Sequence, residues 1–151
     1  MALTVYLSGE IHSDWRQQIM QAAQTRGLRV SFCAPVTDHA ASDAAGDVLG
    51  EESDNFWRDH KSSRVNAIRT QTLIAKCDLA VIRFGDKYKQ WNAAFDAGYC
   101  AALGKPYITL HSEEIIHPLK EVDAAAMAWA RTPEQVVALL DYVLTDTASP
   151  E

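Results

Sequence analysis

Apolar positions along this chain follow two rhythms. Compact runs of strand-forming residues recur at Leu3 to Leu7, Leu28 to Cys33, Cys77 to Phe84 and Tyr107 to His111. Between them lie longer stretches in which apolar side chains return three or four residues apart. The first rhythm predicts strands and the second amphipathic helices. After Leu7, Ser13 or Asp14 can cap a helix that carries Trp15, Ile19, Ala22 and Ala23 on one face. Gly27 stops it where a left-handed residue is wanted. The next strand closes at Ala34-Pro35. A strand–helix–strand unit with short connections predicts parallel pairing.

From Val36 to about Asn55 the chain is rich in Asp, Ala, Ser and Gly and holds no sustained period. It predicts a long loop with at most one helical turn, and such loops tend to be functional or mobile. Phe56 to Lys76 predicts a helix with Trp57, Val65, Ile68, Leu73 and Ile74 as candidate buried positions. A further helix ends at Gly104, ahead of Pro106. Ser112 to Glu121 reads as irregular or a short helix, and Ala125 to Ala130 as a short fifth strand. The last helix is capped by Thr132, with Pro133 first inside it and Gln135 closing a capping box. Val136, Val137, Leu139, Leu140 and Val143 form its inner face, and the polar tail Thr145 to Glu151 is expected to fray. The order of elements predicts an α/β, doubly wound (flavodoxin/Rossmann-like) three-layer sandwich. Its sheet is mostly parallel with four to five strands, and residues 1–151 form a single domain.

The chemistry concentrates between Phe84 and Pro106. The helix there is made almost wholly of uncharged residues and contains one carboxylate, Asp96. A helix apolar on all faces is normally buried, and a buried carboxylate needs a partner or a task. In open parallel sheets, ligands bind beyond the carboxyl ends of the strands. Those ends are Ser8-Gly9-Glu10, Pro35 onward, Phe84 to Gln90 and His111 onward. Gly9 would let a ligand approach the backbone. The loop Gly85 to Trp91 adds donors, acceptors and two aromatics. Asn92 suits an N-cap, which would put Asp96 in the first helical turn or just beyond. There the helix dipole favours the charge by ~0.3–1 kcal/mol, while burial opposes it. Asp96 is then a nucleophile or acid–base group, or else an acceptor of backbone hydrogen bonds near the helix start.

At 151 residues with a net charge of −6, the chain has room for a core but suits a nucleic-acid backbone poorly. The start lacks a basic region before its apolar run, so no signal peptide is expected, and no segment is long and apolar enough to cross a membrane. The three cysteines, Cys33, Cys77 and Cys100, are spread without a C-x-x-C pair and read as reduced core thiols of a cytoplasmic protein. His12 with Asp14, His39 with Asp38 and Asp43, and His60 with Asp59 lack dense ligand spacing, so no metal is expected. His12 and His39 lie in loops at the strand ends and remain candidates for proton transfer. Arg58, Lys61 and Arg64 form a basic stripe, read as a solvated helix face or a phosphate contact. Arg83 interrupts an apolar strand and either pairs with Asp78, Asp86 or Glu10 or points into the pocket. Trp91 and Tyr88 suit stacking on a planar base, or a core or an interface.

Two segments resemble the nucleoside 2-deoxyribosyltransferase-like superfamily, which also contains deoxynucleotide N-hydrolases. They are Val5 to Gly9 (VYLSG) and Phe95 to Pro106 (FDAGYCAALGKP). With SGEIHSDW, PVTDH and RFGDKYKQWNAAFDAGY added, most of the chain is similar to the YtoQ family within it. The resemblance implies a nucleoside deoxyribosyltransferase or N-glycoside hydrolase with a carboxylate nucleophile, or a non-catalytic nucleoside binder on the same fold. It places Asp96 at the nucleophile, Tyr6 at the tyrosine supporting it, and Gln90 at a polar residue contacting the sugar. Gly9, Glu10, His12, Arg83, Trp91 and Asn92 complete the implied pocket. The ligand would be a small nucleoside-like molecule, with no cofactor, no nucleic acid and no membrane, and the protein a homo-oligomer. Three positions depart from the pattern. Asp96 replaces Glu and reaches about 1.5 Å less far. Thr70 stands where an acid helps to protonate the leaving base. Glu10 follows the glycine where nucleotide-cleaving relatives favour a small residue, and its charge would repel a 5′-phosphate.

Overall fold

A computed structural model describes residues 1–145, and the end of the polar tail, 146–151, lies outside the described residues. The strands are β1 (Leu3–Gly9), β2 (Val30–Cys33), β3 (Leu79–Arg83), β4 (Tyr107–Leu110) and β5 (Ala128–Ala130). All neighbours are parallel, and the sheet order is β2-β1-β3-β4-β5. The helices are α1 (Trp15–Thr25), α2 (His39–Asp43), α3 (Asn55–Lys76), α4 (Trp91–Leu103), α5 (Lys120–Ala125) and α6 (Pro133–Leu144). This is the doubly wound three-layer sandwich read from the chain.

Strand alternation sorts the core into two halves. Val5 and Leu7 of β1 face α1 and α6, packing with Trp15, Ile19, Val136, Val137 and Leu140. Tyr6 faces the other way and packs with Ile74 of α3 and Ala93, Ala97 and Cys100 of α4. The chain reverses direction across the sheet between β1 and β3, so their carboxyl ends flank a crevice. The final helix starts as its sequence implies. Thr132 Oγ1 accepts the Gln135 N–H at 3.3 Å, and Gln135 Oε1 accepts the Arg131 N–H at 2.7 Å.

Three readings of helix burial are corrected. Of the positions proposed as buried on α3, only Ile74 is fully enclosed, whereas Trp57 and Ile68 are 54% and 70% exposed. The helix α4 is not enclosed on all sides either, because Trp91, Phe95 and Leu103 stand out at 75%, 66% and 50% exposure. Apolar periodicity marks the faces a helix can bury, without saying whether this chain supplies the cover. Val143 is likewise exposed, and Leu144 takes the inner position instead.

The 36–55 segment carries α2 and a 3₁₀ turn at Asp47–Leu49. The basic stripe clips it to α3: Arg58 binds both carboxylate oxygens of Asp47, and Lys61 pairs with Glu52 at 3.0 Å. Structural ion pairing therefore occupies Arg58 and Lys61.

Candidate active site

The crevice is built on Gly9. Its φ of +108° is a conformation that side-chain-bearing residues rarely adopt. A Cβ there would fall 2.1 Å from the Arg83 carbonyl oxygen. This close crossing lets Glu10 N–H bond Arg83 O at 3.1 Å and turns the chain beneath the 85–90 loop. A Cβ on Gly85 would meet Glu10 Cγ at 2.8 Å, so the Glu10 side chain fills the space under Gly85. Gln90 closes the same loop by accepting the Gly85 N–H at 2.9 Å.

Asp96 sits one helical turn and a half into α4, beyond the reach of the first-turn dipole. Gln90, not Asn92, is the residue before the helix, and it makes no capping bond because its amide is turned back to Gly85. Asn92 lies exposed inside the first turn. What holds Asp96 is Ser8, whose hydroxyl donates to Oδ2 at 2.6 Å. Ser8 is fully buried and lies two residues after Tyr6, on the same face of β1. The Tyr6 hydroxyl is buried without a hydrogen-bond partner among the described residues. Burial first, and then the Asp96 charge, push its pKa up. Burial also raises the Asp96 carboxyl above its ordinary value, opposed by the Ser8 hydrogen bond. A desolvated carboxylate beside an unpaired phenol has the character of a reactive site.

That raised pKa has a consequence for stability. The folded protein holds the Asp96 proton more tightly than the unfolded chain, so the contribution is full below 3.8 and is lost as the pH rises through the higher folded value. Asn cannot ionise. The stability of Asp96→Asn relative to wild type should therefore grow as the pH rises from 3.8 toward neutrality, measured by urea unfolding at stepped pH. A difference independent of pH would contradict the burial argument.

Arg83 points toward Glu10, with Nε 3.9 Å from Oε2, and that Nε has no hydrogen-bond partner among the described residues. The Glu10 carboxylate also accepts from Ser13 Oγ and from the His12 backbone N–H. Buried Arg16 pins the loop from below, donating to the carbonyls of Leu7, Gly9 and Glu10. The structure thus gathers Gly9, Glu10, Arg83 and Gln90 at the β1/β3 crevice, and brings Ser8 and Tyr6 of β1 to Asp96. The His12 ring is exposed and packs against Tyr88 with centroids 4.8 Å apart. Trp91 faces solvent, and His39 is exposed beside Asp43 on α2. The Thr70 hydroxyl donates to Asn66 O within α3. Among the described residues, no group of three or more His, Cys, Asp or Glu side chains is arranged to hold a metal, and no helix is long and apolar enough to cross a membrane.

Sequence reading placed Ser8 at a strand end without giving it a role, and passed over Arg16. The signal for Ser8 was its two-residue spacing from Tyr6. Arg16 carried none, since an arginine in the first turn of a helix usually faces water.

The family model described as "Nucleoside 2-deoxyribosyltransferase YtoQ" matches residues 6–144. A Bacillus subtilis (strain 168) protein described as uncharacterized protein YtoQ is 40% identical over 144 residues, which is 95% of this chain and 97% of the relative. Among solved structures, a 2-deoxyribosyltransferase from Bacillus psychrosaccharolyticus aligns with a TM-score of 0.58 at 19% identity. The match covers 91% of this chain and 95% of that one. A conserved protein from Enterococcus faecalis V583 aligns with a TM-score of 0.65 at 12% identity, covering 95% and 100%. At these identities the two structures establish a shared fold.

Proposed function

The chain belongs to the YtoQ family of nucleoside 2-deoxyribosyltransferases, and from that premise we propose that it acts on the N-glycosidic bond of a nucleoside-like substrate. The observation that carries this reading is the half-buried Asp96 carboxylate, held 2.6 Å from Ser8 Oγ and close enough for its charge to act on the unpaired Tyr6 hydroxyl. The carboxylate attacks C1′ of the sugar, and the base leaves with the electron pair of the C–N bond and takes up a proton. A second base, or water, then attacks C1′ and frees the carboxylate. Ser8 orients the nucleophile, the Tyr6 hydroxyl supports it electrostatically, and Gly9, Glu10, Gln90 and Arg83 line the sugar side. The nearly buried Glu10 carboxylate disfavours a 5′-phosphate there, so an unphosphorylated sugar fits.

A panel of deoxynucleosides and ribonucleosides, with and without an acceptor base, tests this by chromatographic detection of free or exchanged base. Turnover of at least one unphosphorylated member is expected, and none across the panel would sink the reading. A second reading, a nucleoside binder without catalysis, draws support from Thr70, whose hydroxyl is already committed within α3. It predicts a ligand that raises the melting temperature and is not consumed.

The same reading includes a homo-oligomer. Trp91, Phe95, Gly98 and Ala102 are exposed along one face of α4, and Trp57 and Ile68 on α3. An open groove of about 340 Å³ runs along α3 past Val65, Ile68 and Leu73. Large apolar residues presented by two helices suit a self-complementary contact with a second copy. Light scattering after size exclusion should give an oligomer for wild type and a smaller species for Phe95→Glu or Ile68→Glu with unchanged circular dichroism. A monomeric wild type would contradict this.

A further inference from the structure

A cavity of about 420 Å³ opens at the carboxyl ends of β1 and β2, on the far side of β1 from the Glu10–Arg83 pair. Its polar lining includes Arg16, Arg69, Ser13 and Thr37, its apolar lining includes Met20 and Phe32, and it contains no carboxylate. On a chain with a net charge of −6, two arginines lining one cavity without an acid stand out.

Neither arginine makes a direct ion pair among the described residues, although the Glu10 charge acts on Arg16 from further off. Arg16 is 5% exposed, and its three hydrogen bonds go to neutral backbone carbonyls. Three of its five N–H donors are used in this way, leaving two. Arg69 donates once, to Ala34 O at 3.0 Å, and makes no ion pair among the described residues. Glu10 is the acid nearest the rim, and Ser13, the His12 backbone and Arg83 already engage it. Burial lowers the Arg16 pKa only to about 10, so the group stays charged at neutral pH.

The cavity also lies next to Tyr6 on the sheet. Cys33 lines it and is the register partner of Tyr6. The Tyr6 hydroxyl feels the charges of Asp96, Arg16 and Arg69 together. The β2 side of β1 thus carries two arginines and no acid, whereas the β3 side carries Glu10 together with Arg83.

We propose that Arg16 and Arg69 form a subsite for the oxyanion of a small ligand, a carboxylate or a phosphate. Guanidinium forks bind both groups through paired charge-assisted hydrogen bonds. This assignment rests on the Asp96 reading only in making the anion part of the same substrate, carried on its leaving group and away from Glu10.

The test uses the whole chain with inorganic phosphate and with benzoate, each titrated against chloride at constant ionic strength. Melting temperature and calorimetry are the readouts. Saturable binding of one of the two is expected, and which one binds identifies the oxyanion. Asp96→Asn should keep that binding, whereas Arg69→Gln should weaken it about tenfold or more, because charged hydrogen bonds are lost. Arg69 is exposed, so this variant should fold normally. No saturable binding of either anion, or equal binding by Arg69→Gln, would overturn the subsite. Anion binding that persists in a protein with no base release supports the subsite while defeating the Asp96 nucleophile, so the two failures are separable.

Discussion

Asp96→Asn should abolish base release and exchange, by roughly 10³-fold or more, in a protein that folds as well as wild type. The amide has the shape of the carboxylate, so the contact with Ser8 Oγ, 2.6 Å in the native chain, can be kept in either orientation. What disappears is the negative oxygen that would bond to C1′. Asp96→Glu is the sharper companion. Relatives that carry glutamate place the reacting oxygen one methylene further out, whereas Ser8 and α4 here hold a shorter side chain. The longer acid overshoots by about 1.5 Å, and its activity should fall about a hundredfold. Steady-state assays on the best substrate of the panel measure both effects. Unchanged turnover in Asp96→Asn would remove the nucleophile from the scheme.

Gly9→Ala should be the most damaging single substitution in the crevice for stability, on the order of 4 kcal/mol or more, or a failure to fold. Two penalties act together. The backbone sits at φ +108°, and the added methyl would lie 2.1 Å from the Arg83 carbonyl oxygen. That oxygen belongs to a central strand and already accepts the Glu10 N–H, so it cannot retreat cheaply. Gly98→Ala supplies the contrast. Gly98 lies in α4, and a Cβ added there would meet nothing within 4 Å, so the change should stabilise by about 0.5–1 kcal/mol in a monomer. Chemical denaturation of both variants checks the pair. A mild effect at Gly9 would mean that β1 and β3 separate more readily than their packing implies.

The sheet was legible because its strands are short apolar runs bounded by Gly and Pro, and the crossover rule leaves few ways to order them. Gly27, Gly104 and Thr132 marked helix ends correctly because capping is local chemistry. Burial along α3 and α4 was not legible. Trp57, Ile68, Trp91 and Phe95 have the periodicity of a core and face outward, since only the tertiary arrangement decides which apolar stripe a chain covers itself. The Asp96 segment stood out as a lone charge in an apolar helix, but its support did not. Ser8 is 88 residues away in sequence, and a contact of that kind follows from strand alternation only once β1 and α4 are known to share a face. Gln90 shows the opposite failure. A side chain suited to the helix start serves the loop instead, so Asn92 was credited with a capping role that its position inside the helix excludes.

Acid-quenched peptide mapping by mass spectrometry addresses the central claim most directly. Wild-type protein mixed with its best deoxynucleoside and no acceptor base, then quenched within a turnover, should yield the peptide containing Asp96 heavier by one deoxyribosyl unit. The adduct should be absent from Asp96→Asn and should vanish when acceptor base is added before the quench. Base release without any adduct on that peptide, or an adduct on a different residue, would contradict the account.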